Sequence, residues 1–106
     1  MPVYHKLVRD RIPHMIKAKG ESCRTRILEP SEYSKELKAK LQEELREYLE
    51  AAEPADALEE LADMLEVIRA LALLHGSDAE ELEAIRARKA EQRGGFADRV
   101  YLIDTE

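Results

Sequence analysis

The sequence has 106 residues, 38% of them charged, and a formal net charge of -6. This length suits one domain, which we expect to span residues 1–106. The acidic balance disfavours a nucleic-acid-binding protein, which needs a basic surface. Cys23 is the single cysteine, so an intrachain disulfide is excluded. With no membrane-length apolar run and no signal-peptide pattern, we expect a cytoplasmic protein without a membrane partner.

Apolar spacing and capping residues predict two helices in the first half of the chain. The first helix follows Asp10, a candidate N-cap, and carries Pro13 in its first turn. The second helix starts at Ser31, its expected N-cap, and runs to about Ala52. The segment at residues 23–28 alternates weakly and is expected to be extended or a short strand.

Two further helices are predicted in the second half. The third follows Asp56, its expected cap, and ends near Gly76. The fourth follows Ser77, which with Glu80 has the spacing of a capping box, and stops before Gly94. Residues 99–104 are likewise expected to be extended or a short strand. The predicted fold class is therefore all-α, an antiparallel helical bundle with two short extended segments.

Helix three is apolar on two sides. One face carries Leu58, Leu61, Leu65, Ile68 and Ala72, and the second carries Met64, Val67, Leu71 and Leu74. A helix with two apolar sides is sandwiched between partners. One chain of this size can hardly cover both sides, so we expect a homo-oligomer, either a dimer or a tetramer.

Two pairs of acidic residues stand at helical spacing on the two central helices. Helix two carries Glu44 and Glu47, and helix three carries Glu60 and Asp63. Residues three apart are neighbours on a helix surface, and a short link makes the two helices antiparallel, so the pairs can face each other. Glu44 lies inside the apolar arc of helix two, where a purely structural helix rarely places a carboxylate.

Carboxylates without a nearby histidine or thiolate select Mg²⁺, or Mn²⁺ as a substitute. Four carboxylates in a partly apolar groove repel one another unless cations are present. A cation shared between carboxylates and phosphate oxygens is the basis of phosphate-chain hydrolysis, so we expect this chemistry. The alternative is a helical interaction module without catalysis, because acidic pairs arise by chance in a chain with 23 acidic residues.

The acidic motifs, in residues 40–47 and 59–68, resemble those of the MazG-like all-α nucleotide pyrophosphohydrolases. That superfamily also contains phosphoribosyl-ATP pyrophosphohydrolase and dimeric dUTPases. Residues 4–13, YHKLVRDRIP, resemble the KLVRDKIP opening of one branch of small proteins, with Arg11 where the branch usually has Lys. Lys89 and the RGGF that starts at Arg93 resemble the closing motif of the same branch.

The resemblance implies a single MazG-like domain in which Glu44, Glu47, Glu60 and Asp63 are the Mg²⁺ ligands and catalytic residues. It also implies hydrolysis of a nucleoside triphosphate to the monophosphate and pyrophosphate, in a branch expected to remove noncanonical nucleotides. Phosphoribosyl-ATP hydrolysis in histidine biosynthesis is the alternative. The opening and closing motifs argue against this alternative because they belong to the other branch.

The flanking motifs supply most of the candidate substrate-binding residues. The candidates are Lys6, Arg9, Asp10, Lys40, Lys89, Arg93, Gly94, Gly95 and Phe96. The cations could meet phosphate oxygens, and the glycine pair could let backbone N–H groups approach a phosphate. Phe96 could stack on a base. A structural interpretation is equally open, in which the glycine pair ends a helix and Phe96 fills the core.

Overall fold

The computed structural model describes residues 2–106 and contains no β-strand in that range. Its helices are α1 (Ile12–Ala18), α2 (Pro30–Glu50), α3 (Pro54–Leu74) and α4 (Ala79–Arg93). The all-α fold class is therefore confirmed. Residues 23–28 and 99–104 lie outside the helices and pair with no strand, so the short strands considered for them do not form. None of the helices in the described part of the chain is long and apolar enough to cross a bilayer.

Proline sets the start of both central helices. α2 begins at Pro30 and α3 at Pro54, each one residue after its N-cap. Proline lacks the N–H that the first turn leaves unpaired, and its fixed φ suits the helix, so it takes the first position readily. The predicted caps Ser31 and Asp56 consequently lie inside the first turn, and both cap predictions are wrong.

The N-caps of the two outer helices each lie one residue after the predicted cap. Arg11, not Asp10, is the N-cap of α1, and it makes no side-chain capping bond. Asp78, not Ser77, caps α4, and its carboxylate accepts a hydrogen bond from the backbone N–H three residues later at 2.8 Å. The predicted end of α4 is confirmed, because Gly94 follows it with a φ of 81°. Glycine adopts this left-handed conformation without the strain of a side chain.

The centre of the fold is the helical hairpin of α2 and α3. Residues 51–53 join the two helices, which pack against each other, and α4 packs against α3. Leu37 on α2 and Val67 on α3 are buried in this hairpin. Glu60 and Asp63 precede the buried Val67 by seven and four residues and therefore lie on the same face of α3. Both acidic side chains consequently lie on the side of α3 that packs against α2.

The opposite face of α3 is uncovered in the protomer. Leu58, Leu61 and Leu65 are 68%, 40% and 60% exposed, and Leu49 on α2 is 71% exposed. The radius of gyration of the Cα atoms is 18.1 Å, against about 13 Å for a compact domain of 100 residues. The protomer is therefore extended and exposes apolar surface that a compact fold would bury.

Candidate metal centre

Three carboxylates converge where α2 faces α3. Glu44, Glu47 and Glu60 each offer one oxygen, and these oxygens lie within 4.8 Å of one another. Glu44 is only 6% exposed, Glu60 is half-buried and Glu47 is exposed. The three-residue spacing places Glu44 and Glu47 on one face of α2, and the short hairpin link turns that face toward α3. We refer to these three side chains as the glutamate cluster.

Asp63 stands at the edge of the glutamate cluster. It lies one helical turn after Glu60 and is half-buried, but it is not part of the group of oxygens within 4.8 Å. Its Oδ1 atom accepts a hydrogen bond from Nη2 of Arg9 at 2.7 Å. The structure thus places the fourth predicted carboxylate beside the other three and pairs it with a cation from the segment before α1.

Two oxygens of the cluster are buried without a hydrogen-bond partner, the Oε2 atoms of Glu44 and Glu60. A buried carboxylate oxygen without a donor lowers stability, and such groups are usually neutralised by a proton or a cation. The converging ligands are all carboxylate oxygens, with no histidine or cysteine among them. This donor set fits a hard cation such as Mg²⁺ or Mn²⁺.

Two carboxyl groups of the cluster, those of Glu44 and Glu60, hold protons more tightly than usual because their pKa values are raised. Burial above all, a hydrogen bond that the protonated carboxyl group can donate to Glu60, and the charges of Glu47 and Asp63 together raise the pKa of Glu44 from 4.5 to about 7. For Glu60, the hydrogen bond from Glu44 lowers the pKa, but loss of water and the interactions with Glu47 and Asp63 outweigh it, so the net direction is upward. A proton on Glu44 would therefore relieve part of the charge repulsion within the cluster.

Basic side chains lie next to the glutamate cluster. Nζ of Lys40 is 3.4 Å from Oε2 of Glu43 and 3.6 Å from Oε1 of Glu44. Lys6 approaches from the segment before α1 and lines, with Lys40, a groove of about 110 Å³ that Glu36 and Glu43 also line. Glu43 is missing from the sequence-based candidates, although its three-residue spacing from Lys40 on a helix could have identified it.

The remaining candidates lie apart from the cluster. They are Asp10, Lys89, Arg93, Gly94, Gly95 and Phe96. All are exposed, and within residues 2–106 none of their side chains forms a hydrogen bond or ion pair with the glutamate cluster. α4 packs against α3 but not against α2 in the described part of the chain. Phe96 is 97% exposed, so it does not fill a core in the protomer.

The protein is thus a helical protein whose central hairpin carries a candidate site for a hard cation, built from carboxylate oxygens alone. Residues 4–100 match the family model of phosphoribosyl-ATP pyrophosphohydrolase, and the chain belongs to this family. The family's members are hydrolases that act on phosphoric anhydride bonds, and it falls within the MazG-like all-α superfamily, so that resemblance is confirmed.

A curated relative adds a second, partial match. A stretch of 52 residues is 50% identical to an uncharacterized protein of Mycolicibacterium smegmatis, and it covers 49% of this chain and 52% of that protein. The match thus spans about half the length of the relative. No solved structure matches the chain significantly.

Proposed function

We propose that this protein is a Mg²⁺-dependent pyrophosphohydrolase that converts a nucleoside triphosphate to the monophosphate and pyrophosphate. The observation that carries the proposal is the pair of buried, unpartnered oxygens on Glu44 and Glu60 inside a three-glutamate cluster. Carboxylates on a merely solvated helix face keep their oxygens in water, so the burial favours a cation site over a non-catalytic interaction module. Membership of the pyrophosphohydrolase family supports the same chemistry.

In this proposal Glu44, Glu47, Glu60 and Asp63 hold the cation, with Mn²⁺ as a possible substitute for Mg²⁺. A bound divalent cation would offset the negative charge that develops on the phosphate oxygens during cleavage. Glu44 is fixed by burial and by the nearby Lys40 ammonium, so it anchors the site between the helices. Glu47 is the exposed member, and its carboxylate can accept a hydrogen bond from the attacking water and orient it.

We propose that the phosphate chain of the substrate binds toward the segment before α1. Lys6, Arg9 and Lys40 lie on that side, at the edge of the carboxylates, where charge-assisted hydrogen bonds to phosphate oxygens are available. The C-terminal candidates, among them Gly95 and Phe96, would then serve the nucleoside. An aromatic ring as exposed as Phe96 offers a face on which a base can stack.

Noncanonical nucleoside triphosphates are the proposed physiological substrates. This choice is supported by the KLVRD sequence at residues 6–10 and the RGGF sequence at residues 93–96, which resemble the branch expected to carry out house-cleaning. The family match favours a second candidate, phosphoribosyl-ATP, whose phosphate anhydride requires the same cation chemistry. The two candidates differ in the group attached to the base, so a direct comparison of substrates separates them.

The functional unit in this proposal is a cytoplasmic homo-oligomer, a dimer or a tetramer. The exposed Leu58, Leu61 and Leu65 on α3 form an apolar face of the kind that association buries. The extended protomer, with a radius of gyration of 18.1 Å, supports the same conclusion. A nucleotide is the expected partner, and the net charge of -6 disfavours nucleic acid.

The test is a substrate panel with detection of released pyrophosphate. Purified protein with Mg²⁺ is given canonical triphosphates, oxidised or deaminated triphosphates, and phosphoribosyl-ATP in parallel. We expect release from at least one noncanonical triphosphate, abolished by chelator. Glu59→Gln, a change at an exposed neighbour of the cluster, serves as the control variant. Preference for phosphoribosyl-ATP would select the second candidate, and no release from any substrate would contradict the proposed activity.

A further inference from the structure

The Arg9–Asp63 ion pair connects the segment before α1 to the edge of the glutamate cluster. The Nη2–Oδ1 distance is 2.7 Å, and the two residues are 54 positions apart in the chain. α1 itself packs against none of the other helices in the described residues. The position of Arg9 is therefore not imposed by helix packing. The segment instead lies beside the carboxylates through its ion pair with Asp63 and through Lys6 and Leu7, which line a groove with Lys40 of α2.

Two cations neutralise this acidic site, and they differ in how easily they can leave. Lys40 is held on α2, its side chain is 20% exposed, and it lies between two glutamates of the same helix. Arg9 belongs to a segment without regular structure, and its side chain is 57% exposed. Exposed ion pairs contribute little net stability and exchange readily. Arg9 is therefore the exchangeable cation of the two.

We propose that Arg9 is the counter-ion of Asp63 in the cation-free site and transfers to a phosphate oxygen when a divalent cation binds Asp63. This inference rests on the proposed function of the carboxylates as a cation site. The planar guanidinium suits the exchange because its fork of donors matches a carboxylate and a phosphate equally well.

The exchange makes cation binding and triphosphate binding cooperative. Without nucleotide, the cation must displace Arg9 and bind close to its positive charge, so Arg9 weakens cation binding. With nucleotide present, the displaced guanidinium gains a phosphate partner and the penalty is removed. By thermodynamic linkage, the cation then strengthens triphosphate binding by the same factor. Arg9 would thus favour loading of the site by the cation and the substrate together.

The first test measures Mn²⁺ binding by calorimetry in the absence of nucleotide. Arg9→Ala should bind Mn²⁺ about three- to tenfold more tightly than the wild type, because a competing positive charge is gone. Arg9→Lys keeps the charge and should stay near the wild-type affinity. Arg86→Ala is the matched control, since it also removes an arginine that is 62% exposed from a carboxylate partner, in this case Glu83 on α4. It should leave Mn²⁺ affinity unchanged.

The second test measures binding of an α,β-methylene nucleoside triphosphate with Mn²⁺ at saturation, so hydrolysis does not contribute. Arg9→Ala should weaken binding about tenfold through loss of a charge-assisted hydrogen bond. Arg9→Lys should bind with intermediate affinity because a point charge replaces the fork of donors. Arg86→Ala should match the wild type. Opposite effects of one substitution on the two ligands distinguish exchange from a purely structural role of Arg9.

The outcomes separate this inference from the proposed function. Unchanged or weaker Mn²⁺ binding by Arg9→Ala would overturn the counter-ion role. Tighter Mn²⁺ binding with unchanged analogue binding would overturn the transfer to phosphate. Absence of saturable Mn²⁺ binding in the wild type would instead contradict the cation site itself. If circular dichroism shows that Arg9→Ala is unfolded, Arg9→Gln provides a second neutral variant that keeps hydrogen-bond donors.

Discussion

Glu44 on α2 and Glu60 on α3 approach each other across the hairpin, and each has a buried Oε2 atom without a hydrogen-bond donor. The hairpin thus holds two acidic groups where water cannot fully solvate them. An arrangement of this kind lowers the stability of a fold unless a proton or a cation occupies it. Natural proteins tolerate such a loss where function requires it. The dependence of stability on protons and cations therefore tests the site independently of catalysis.

The stability of the cation-free protein should fall as pH rises from about 4.5 to about 7. Glu44 has a pKa of about 7 in the folded protein and an ordinary value of 4.5, and the pKa of Glu60 is also raised. In this window the folded state binds more protons than the unfolded state, so the free energy of unfolding decreases with pH. Glu32 and Glu83 have lowered pKa values and act below this window. Urea denaturation in chelator at pH 5 and pH 8 measures the difference.

A neutral variant identifies the groups responsible for this pH dependence. Glu44→Gln cannot ionise, so its free energy of unfolding in chelator should change less between pH 5 and pH 8 than that of the wild type. At pH 8 it should be the more stable of the two proteins. Glu59→Gln removes an acid from the exposed neighbour of Glu60 and should keep the wild-type dependence. An identical slope in the wild type and Glu44→Gln would contradict the assignment.

Mg²⁺ should stabilise the folded protein. A ligand that binds only the folded state raises the free energy of unfolding by roughly 2.7 kcal/mol at a hundred times its dissociation constant. Thermal melts at pH 8 with MgCl₂, and with NaCl at equal ionic strength, separate specific binding from screening. We expect a higher melting temperature in Mg²⁺ for the wild type and a much smaller increase for Glu47→Gln. Equal melting temperatures in the two salts would count against a preformed site.

Much of this fold follows from sequence periodicity, but the helix starts do not. The apolar faces of α2 and α3 predict the hairpin, and the three-residue spacing of Glu44 and Glu47 predicts which way they point. The predicted caps of α2 and α3 are wrong because several polar residues within one turn can serve as a cap, and proline at the first position of the helix decides among them. Pro30 and Pro54 were therefore better guides than Ser31.

Contacts between segments that are far apart in the chain could not be predicted from the sequence. Arg9 and Asp63 are both charged residues in recognisable motifs, yet no periodicity relates positions 54 residues apart, so their pairing is visible only in the structure. The burial of Glu44 was partly predictable, because it lies within an apolar arc. The placement of Phe96 was not, since a lone aromatic after a glycine pair suits a core or a ligand equally well.

A substitution on the exposed apolar face of α3 should disrupt oligomerisation without unfolding the chain. Leu65 is 60% exposed in the protomer, so Leu65→Asp changes the stability of an isolated chain little, by about 0.5 kcal/mol. If a second subunit covers this residue, the buried unpaired charge should dissociate the oligomer. Light scattering at micromolar concentration measures the mass, and circular dichroism verifies the helices. A monomeric wild type at these concentrations would refute the proposed oligomer.

Phe96 should affect substrate binding and not stability. Its side chain is 97% exposed, so Phe96→Ala should alter the free energy of unfolding by no more than about 0.5 kcal/mol. If the ring stacks on the base, the variant should show a KM raised by about tenfold with a smaller change in kcat. Phe96→Tyr preserves the aromatic face and should retain a KM near that of the wild type. A large loss of stability in Phe96→Ala would favour a packing role.

Turnover should depend on Glu47 and Asp63, the two members of the carboxylate site without a buried, unpartnered oxygen. Glu47→Gln and Asp63→Asn each remove a proposed cation ligand and should lower kcat by on the order of a hundredfold or more, with helical circular dichroism unchanged. The two variants should differ in cation-free stability. Glu47→Gln relieves repulsion on Glu44 and should stabilise the fold in chelator, because Glu47 contributes to the raised pKa of Glu44, after burial and the hydrogen bond with Glu60. Asp63→Asn also loses the ion pair with Arg9, which offsets that gain.

Glu59→Gln is the control for these two variants, and its kcat and its stability in chelator are measured in the same way. This residue is exposed and adjacent to Glu60, and within residues 2–106 it takes part in no ion pair, so the change removes one acid without disturbing the site. It should leave kcat and cation-free stability unchanged. Full turnover in both Glu47→Gln and Asp63→Asn would remove the carboxylates from the reaction. Equal losses in all three variants would mean that net charge, not position at the cluster, governs the activity.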